Sequence, residues 1–354
     1  MMNMEKKIYS FVDVLKIVFA FFIIMIHSDI FFDVNESLHY FTTNILARIA
    51  VPFFFAASGF FFAKSLDYSK QKKVSKTKSN FKRLRKTEWR IIVLYAVWSF
   101  IYLFIAIPFN YGGVWSFKNL IDYAVCSLIK FSYYHLWYVY ALVFAYPILY
   151  VMMRFLSRKL ITIACGLMYA AGVFVNSYSY LFDNVAISTI SEKVNSFAVS
   201  YLVTNIIFRA LPLMWLGICV AQNRNKPKKI VCLLIAVAGF GLLVAENIVL
   251  NKITDGVVAG HYIFATLVVV YFLMMFAVQS HVKIKKETST RLRNMSTLIY
   301  CLHAMIDIIF SQVLFPEFSS IILFVLTAVV TTVISAGIVF VSEKRKFRFL
   351  KYLY

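Results

Sequence analysis

Lys16 and His27 stand eleven residues apart in the apolar stretch Phe11–Phe32, FVDVLKIVFAFFIIMIHSDIFF. Ionisable side chains in such a run are expensive inside hydrocarbon and mark functional positions. Eleven residues at ~100° each make about three turns, so both side chains share one helix face, ~16 Å apart along the axis. They cannot touch, so a site that uses both is a long one. A neutral imidazole suits a general base near pH 7, able to take a proton from a hydroxyl nucleophile. An ammonium can hold an anionic group, although one near a span end also snorkels without further purpose. Asp13, three residues before Lys16, is close enough to pair with it.

Further polar side chains interrupt apolar stretches. Arg48, in RIAVPFFFAASGFFF, precedes Pro52, Ser58 and Gly59. It either snorkels from a kinked, closely packed helix or orients a substrate and stabilises an oxyanion. The basic stretch FKRLRKTEWR contains Arg83, Arg85, Lys86 and Arg90, any of which can hold phosphate. His135 opens HLWYVY and reads as an aromatic-belt residue or a site residue. Arg209, in FRALPLMWLG, needs a partner or an aqueous cavity. His303 and Asp307 lie one turn apart and can pair, as an oriented base or as interhelical glue.

The elements that must position these residues are membrane helices. The chain has 354 residues, of which 61% are hydrophobic and 15% charged, with mean hydropathy +0.77. A soluble domain does not have that balance, so the class is an all-α polytopic membrane protein. Runs of spanning length fall near 11–32, 40–63, 89–109, 135–153, 160–177, 199–220, 230–249, 258–280, 295–314 and 318–341. Ten spans with both termini cytoplasmic place every basic cluster on one side: Lys6–Lys7, Lys64–Arg90, Arg154–Lys159, Arg224–Lys229, Lys283–Arg293 and Lys344–Lys351. The other side has only isolated Lys118, Lys130, Lys193 and Lys252. That arrangement accounts for the net charge of +21 and argues against nucleic acid as a partner. The 110–134 loop is external and too short at its apolar centre to span, and the 178–198 loop is external and rich in hydroxyls and amides. The five cysteines show neither metal nor redox spacing.

Several of these stretches together resemble one family. Asp13-x-x-Lys16 with ten residues before His27 is similar to the D-x-x-R-x10-H signature of the integral-membrane acyltransferase family three. RIAVPFFFAASGFFF, Lys82–Arg90, HLWYVYAL and STLIYCLHA resemble further segments of that family, in family order along nearly the whole chain. The membrane half of vancomycin-resistance serine racemases looks similar too.

The resemblance implies a single acyltransferase domain over residues 1–354, in the bacterial cytoplasmic membrane; some family members carry a further soluble domain, and the run of spans leads to the expectation of none appended here. It implies transfer of an acyl group, acetyl by default, from cytoplasmic acyl-coenzyme A to a hydroxyl of an envelope glycan or lipid-linked sugar. His27 is then the base. Asp13 and Lys16 complete the catalytic set, with lysine in place of the family arginine and without its planar fork. The donor phosphates fall to Lys16, Arg83, Arg85 and Lys86. Acceptor and oxyanion contacts fall to Arg48, Ser58, His135, Arg209 and His303, and no metal is implied. Partners are membrane lipids, the donor and the acceptor, with a homo-oligomer left open. The rivals are a transporter of a small polar solute such as serine and a scaffold of an export complex.

Overall fold

The computed structural model describes residues 8–69, 73–179, 203–254 and 263–354. Among them every regular element is a helix, apart from an isolated bridge between Tyr68 and Val74. In chain order the helices are α1 (Ser10–His27), α2 (Glu36–Ser65), α3 (Lys78–Asn110), α4 (Phe117–Ile129), α5 (Trp137–Phe155) and α6 (Arg158–Asn176). They continue with α7 (Thr204–Gln222), α8 (Lys229–Ile253), α9 (Ala265–Gln279), α10 (Lys286–Leu314) and α11 (Ser320–Ser342). Nine segments among the described residues are long and apolar enough to cross a bilayer, counting α4 and α5 as one run. α9 is apolar but shorter at 15 residues, and residues 255–262 before it lie outside the described part, as do 180–198 of the hydroxyl-rich loop. Each of the ten apolar runs read from the sequence overlaps one of these helices.

Three boundaries differ from the sequence reading. The first run continues apolar to Phe32, yet α1 stops at His27 because Asp29 and Phe31 adopt φ of 45° and 68° and turn the chain. α10 begins at Lys286, so Arg291 and Arg293 are helical rather than part of a basic loop. α3 likewise begins at Lys78, where Thr77 caps it by accepting from the Asn80 amide. The centre of the 110–134 loop forms α4, whose Phe117, Ile121, Val125 and Leu128 are exposed, as suits an interfacial helix.

The basic connections meet at one end of the bundle. Lys73 Nζ donates to the Phe155 carbonyl at 2.9 Å, and Arg291 grips Glu343 through two bonds of 2.8 and 2.7 Å. Asp33 and Ser320 bond at the opposite end.

Two helix pairs position the site. α1 and α10 run parallel: Ser10 Oγ donates to the Val282 carbonyl, Ser289 Oγ to Asp13 and Ser28 Oγ to Asp307. α2 and α7 approach so closely that a Cβ on Gly59 would lie 2.0 Å from the Met214 carbonyl oxygen, and one on Gly217 would lie 1.8 Å from that of Ala56. Backbones meet at that distance only through glycine. The crossing brings Arg48, in the first half of α2, beside Arg209 in the first turns of α7.

Candidate active site

The polar residues of α1 face a matching stripe on α10. Arg293, Ser296, Thr297 and Tyr300 follow at helical spacing and continue to His303 and Asp307. Two cavities open along this seam, and a third adjoins α1 between α2, α5, α6 and α7.

The cavity nearer the basic end has a volume of about 320 Å³ and is lined by Lys16, Arg90, Arg293, Ser296, Thr297 and Tyr300, with Ser58, Tyr138 and Tyr146 opposite. Three cations converge on it, and no carboxylate is among its described lining residues. Lys16 Nζ lies 4.9 Å from the centre of the Phe61 ring, a cation–π contact. The expected pairing of Asp13 with Lys16 is absent. Among the described residues the ion pairs are Arg83–Asp67 and Arg291–Glu343. Asp13 is buried and accepts instead from Ser289 at 2.6 Å, a bond across two helices. Arg83 turns outward to Asp67 at 2.7 Å. Arg85 and Lys86 are exposed and line none of the three cavities. The cations at this cavity are therefore Lys16, Arg90 and Arg293.

At the other end of α1, the His27 ring lies 5.2 Å from His303 and 4.9 Å from Tyr134, and His303 lies 5.1 Å from His135. The three imidazoles come from α1, the entry to α5 and α10. His135 is buried at 1% exposure, so it belongs to this cluster and not to an aromatic belt. Its carbonyl accepts from Tyr300 Oη, which fastens the entry of α5 to α10. His303 does not pair with Asp307. Its Nδ1 meets the Tyr300 carbonyl at 2.7 Å. A carbonyl only accepts, so Nδ1 carries the proton and Nε2 keeps its lone pair. Nε2 is buried with no hydrogen-bond partner among the described residues. Asp307 accepts from Ser28 Oγ at 2.8 Å, immediately after His27.

His27 opens onto two cavities. The larger, about 1010 Å³, is lined by Ser28, Asp29, Asp33, Lys130, Tyr134 and Asp307 among others. The smaller, about 150 Å³, lies between His27, Arg48, Trp137, Tyr169 and Arg209. Ser58 belongs to neither, because its hydroxyl shares a 2.9 Å bond with Tyr138 in the three-cation cavity. Tyr138 and Tyr300, which line that cavity, meet each other's rings, and Tyr300 in turn meets His135 and His303. Among the described residues no group of three His, Cys, Asp or Glu is placed to hold a metal ion.

Sequence reasoning missed Arg293 because it stood in a basic run taken as a loop. The signal was present in the spacing of Arg293, Thr297 and Tyr300, which is that of one helix face.

Comparison with known proteins adds the following. A family described as "Acyltransferase domain" matches residues 9–340. One amino-acid racemase of Enterococcus faecalis is 26% identical over 223 residues, covering 62% of this chain and 29% of the racemase. Another from the same organism is 24% identical over 349 residues, covering 96% of this chain and 47% of that protein. The chain thus spans less than half the length of the curated relatives it matches. No solved structure matches.

Proposed function

The chain belongs to the acyltransferase-domain family, and from that premise we propose that it moves an acyl group from acyl-coenzyme A to an extracytoplasmic hydroxyl in the bacterial cytoplasmic membrane. The observation that carries the reading is the arrangement along α1 and α10: a three-cation cavity at the basic end and paired imidazoles at the other.

In this reading Lys16, Arg90 and Arg293 bind the phosphates of coenzyme A from the cytoplasmic side. Charge-assisted bonds to phosphate are stronger than neutral ones, and arginine adds a planar fork. Ser296 and Thr297 put hydroxyls on the same wall, where both donate to the Arg293 carbonyl and would turn from it to meet a phosphate. The pantetheine arm extends along α1, over the ~16 Å that separates Lys16 from His27. Tyr138 and Tyr300 must turn aside for the thioester to pass. The acceptor enters the larger cavity and places its hydroxyl at His27. The imidazole takes the hydroxyl proton, the oxygen attacks the thioester carbonyl, and the carbon–sulfur bond breaks. The proton then passes from the imidazolium to the departing thiolate. His303 lies next to His27 and offers Nε2 as a second basic nitrogen. Asp307 and Ser28 hold the turn that carries His27. The acyl group is acetyl, and the acceptor is a glycan or lipid-linked sugar of the envelope.

The test is binding and turnover of acetyl-coenzyme A by the purified protein in detergent, with His27→Ala beside it. Binding by both, with thioester hydrolysis or transfer in the parent alone, supports the reading. Equal turnover by both removes His27 from the chemistry.

A second reading is a transporter of a small polar solute. Cavities toward both ends of α1 also suit alternating access. That reading requires flux of a solute such as serine in vesicles without acyl-coenzyme A.

A further inference from the structure

The 150 Å³ cavity beside His27 has a composition that the acyl-transfer chemistry alone does not demand. Arg48 and Arg209 both line it, and its remaining described lining is apolar or aromatic apart from His27 itself and the Tyr169 hydroxyl. No carboxylate is among the described lining residues. Arg48 Nε is buried with no hydrogen-bond partner among the described residues, and Nη2 reaches only Asn44, at 3.4 Å. Arg48 is half-buried; the carboxylate of Asp29 acts on it through space but forms no ion pair with it, so the buried Nε–H keeps a donor that no described residue satisfies. Arg209 stacks over Trp137 at 5.0 Å and meets Asn205 at 3.4 Å. Trp137 lines the same cavity, so its ring closes one side and displaces water from the cation.

Both arginines adjoin segments wound more widely than an α-helix. Tyr40–Leu46 precedes Arg48, and Val203–Ala210 contains Arg209. Such π-type turns occur frequently at functional sites. Here they occur on two different helices that face the same small space.

Building on the acyl-transfer reading, we propose that this cavity is an anion subsite for the acceptor: the acceptor carries a carboxylate or phosphate, which Arg48 and Arg209 hold while its hydroxyl lies at His27. The volume admits one such group with a few attached atoms, since a single water needs only ~10–15 Å³ measured this way. Planar forks on Arg48 and Arg209 match oxoanion geometry. His27 is shared between this cavity and the large one, so an acceptor anchored here presents neighbouring atoms to the imidazole while its bulk stays in the 1010 Å³ space. Neutral sugars then lack the anchor.

The experiment measures thermal stabilisation of the purified full chain by D-glucuronate against D-glucose, and by glycerol 3-phosphate against glycerol. The shift given by coenzyme A alone is measured first, and saturating coenzyme A is then present in every anion titration, so that the Lys16–Arg90–Arg293 cavity is occupied. Anions that bind the folded state raise its melting temperature with saturation. The proposal expects a saturable shift from one anion of the two pairs and none from its neutral partner. Arg48→Gln should weaken that binding by about tenfold or more, the scale of a lost hydrogen bond to a charged group, and Arg48→Lys should restore part of it. A carboxylate-only or phosphate-only response names the anion. Equal shifts from anion and neutral partner, or equal shifts in parent and Arg48→Gln, overturn the proposal. The parent comparison stands by itself if Arg48→Gln does not fold. Coenzyme A stabilisation without any anion effect keeps the acyl-transfer reading and removes the subsite, whereas an anion effect without coenzyme A stabilisation does the reverse.

Discussion

Ser28 Oγ donates to Asp307 Oδ1 at 2.8 Å, one residue beyond His27. The bond ties the end of α1 to α10 where the imidazoles of His27 and His303 approach to 5.2 Å. Asp307→Ala leaves the Ser28 hydroxyl without its acceptor and frees the turn. We expect turnover to fall ~10- to 100-fold with acetyl-coenzyme A binding unchanged, because misplacing a reacting group by about 1 Å costs on that order. Separate measurement of kcat and of coenzyme A affinity checks this. Loss of affinity in step with kcat would contradict a positioning role.

His303→Ala should lower transfer at least ~100-fold, the usual scale of a proton-transfer group. His303→Gln keeps a donor for the Tyr300 carbonyl but supplies no basic nitrogen, so it should remain as poor as alanine. Recovery of activity in the glutamine variant would assign His303 to hydrogen bonding and not to proton transfer.

Arg90→Gln and Arg293→Gln should each weaken coenzyme A binding by about tenfold, as expected for a charge-assisted bond to phosphate. Arg85→Gln and Lys86→Gln, exposed and away from the cavity, should change it less than about twofold. Isothermal titration across the four variants separates the two groups. The reverse order would return the donor site to the outer basic stretch.

How much of this was legible in the sequence differs from residue to residue. Lys16 and His27 were conspicuous because charge and imidazole are rare in apolar runs, and helical spacing alone placed them along one side of α1. The partner of Asp13 was not legible. A lysine three residues away competes with a serine 276 residues away, and only the parallel packing of α1 against α10 decides between them. Arg293 was hidden by its neighbours, since basic residues mark cytoplasmic loops and helix ends alike. Arg48 and Arg209 each read as an isolated intramembrane charge. Their shared cavity depends on the glycine crossing of α2 and α7, which spacing within either helix cannot show.

Gly59→Ala and Gly217→Ala should both be strongly destabilising, because their Cβ atoms would meet backbone carbonyls at 2.0 and 1.8 Å. The helices must separate, at a cost of ~1–3 kcal/mol or more for such overpacking. Gly241→Ala, with open space around it, is the control and should be silent. Thermal unfolding in detergent measures all three. Similar melting of Gly59→Ala and Gly241→Ala would show that the crossing is looser than described.

Two aspartates in the turn between α1 and α2 should respond to pH in opposite directions. Burial raises the carboxyl pKa of Asp29 above its ordinary value, while His39 and Arg48 oppose that shift. Its contribution is therefore fully present at low pH and lost as pH rises through the raised value. Asp33 is held below its ordinary value chiefly by the Ser320 hydroxyl, so its contribution is present at neutral pH and lost as pH falls through the lowered value. Asp29→Asn should raise the melting temperature at pH 7 and leave it unchanged near pH 3, whereas Asp33→Asn should lower it at pH 7. Melting curves at both pH values decide; matching signs at pH 7 would refute the assignment.

The parallel seam of α1 and α10 has a consequence for how the protein is made. Asp13 waits for Ser289, 276 residues later in the chain. At ~5–20 residues per second, α1 spends roughly 15 s to a minute in the membrane before the helix that completes its polar face is synthesised. During that interval its carboxylate, ammonium and imidazole have only water, lipid headgroups or an insertion chaperone to satisfy them. The long-lived assembly intermediate is thus the one that exposes the most costly helix, and quality control of this chain should act on α1.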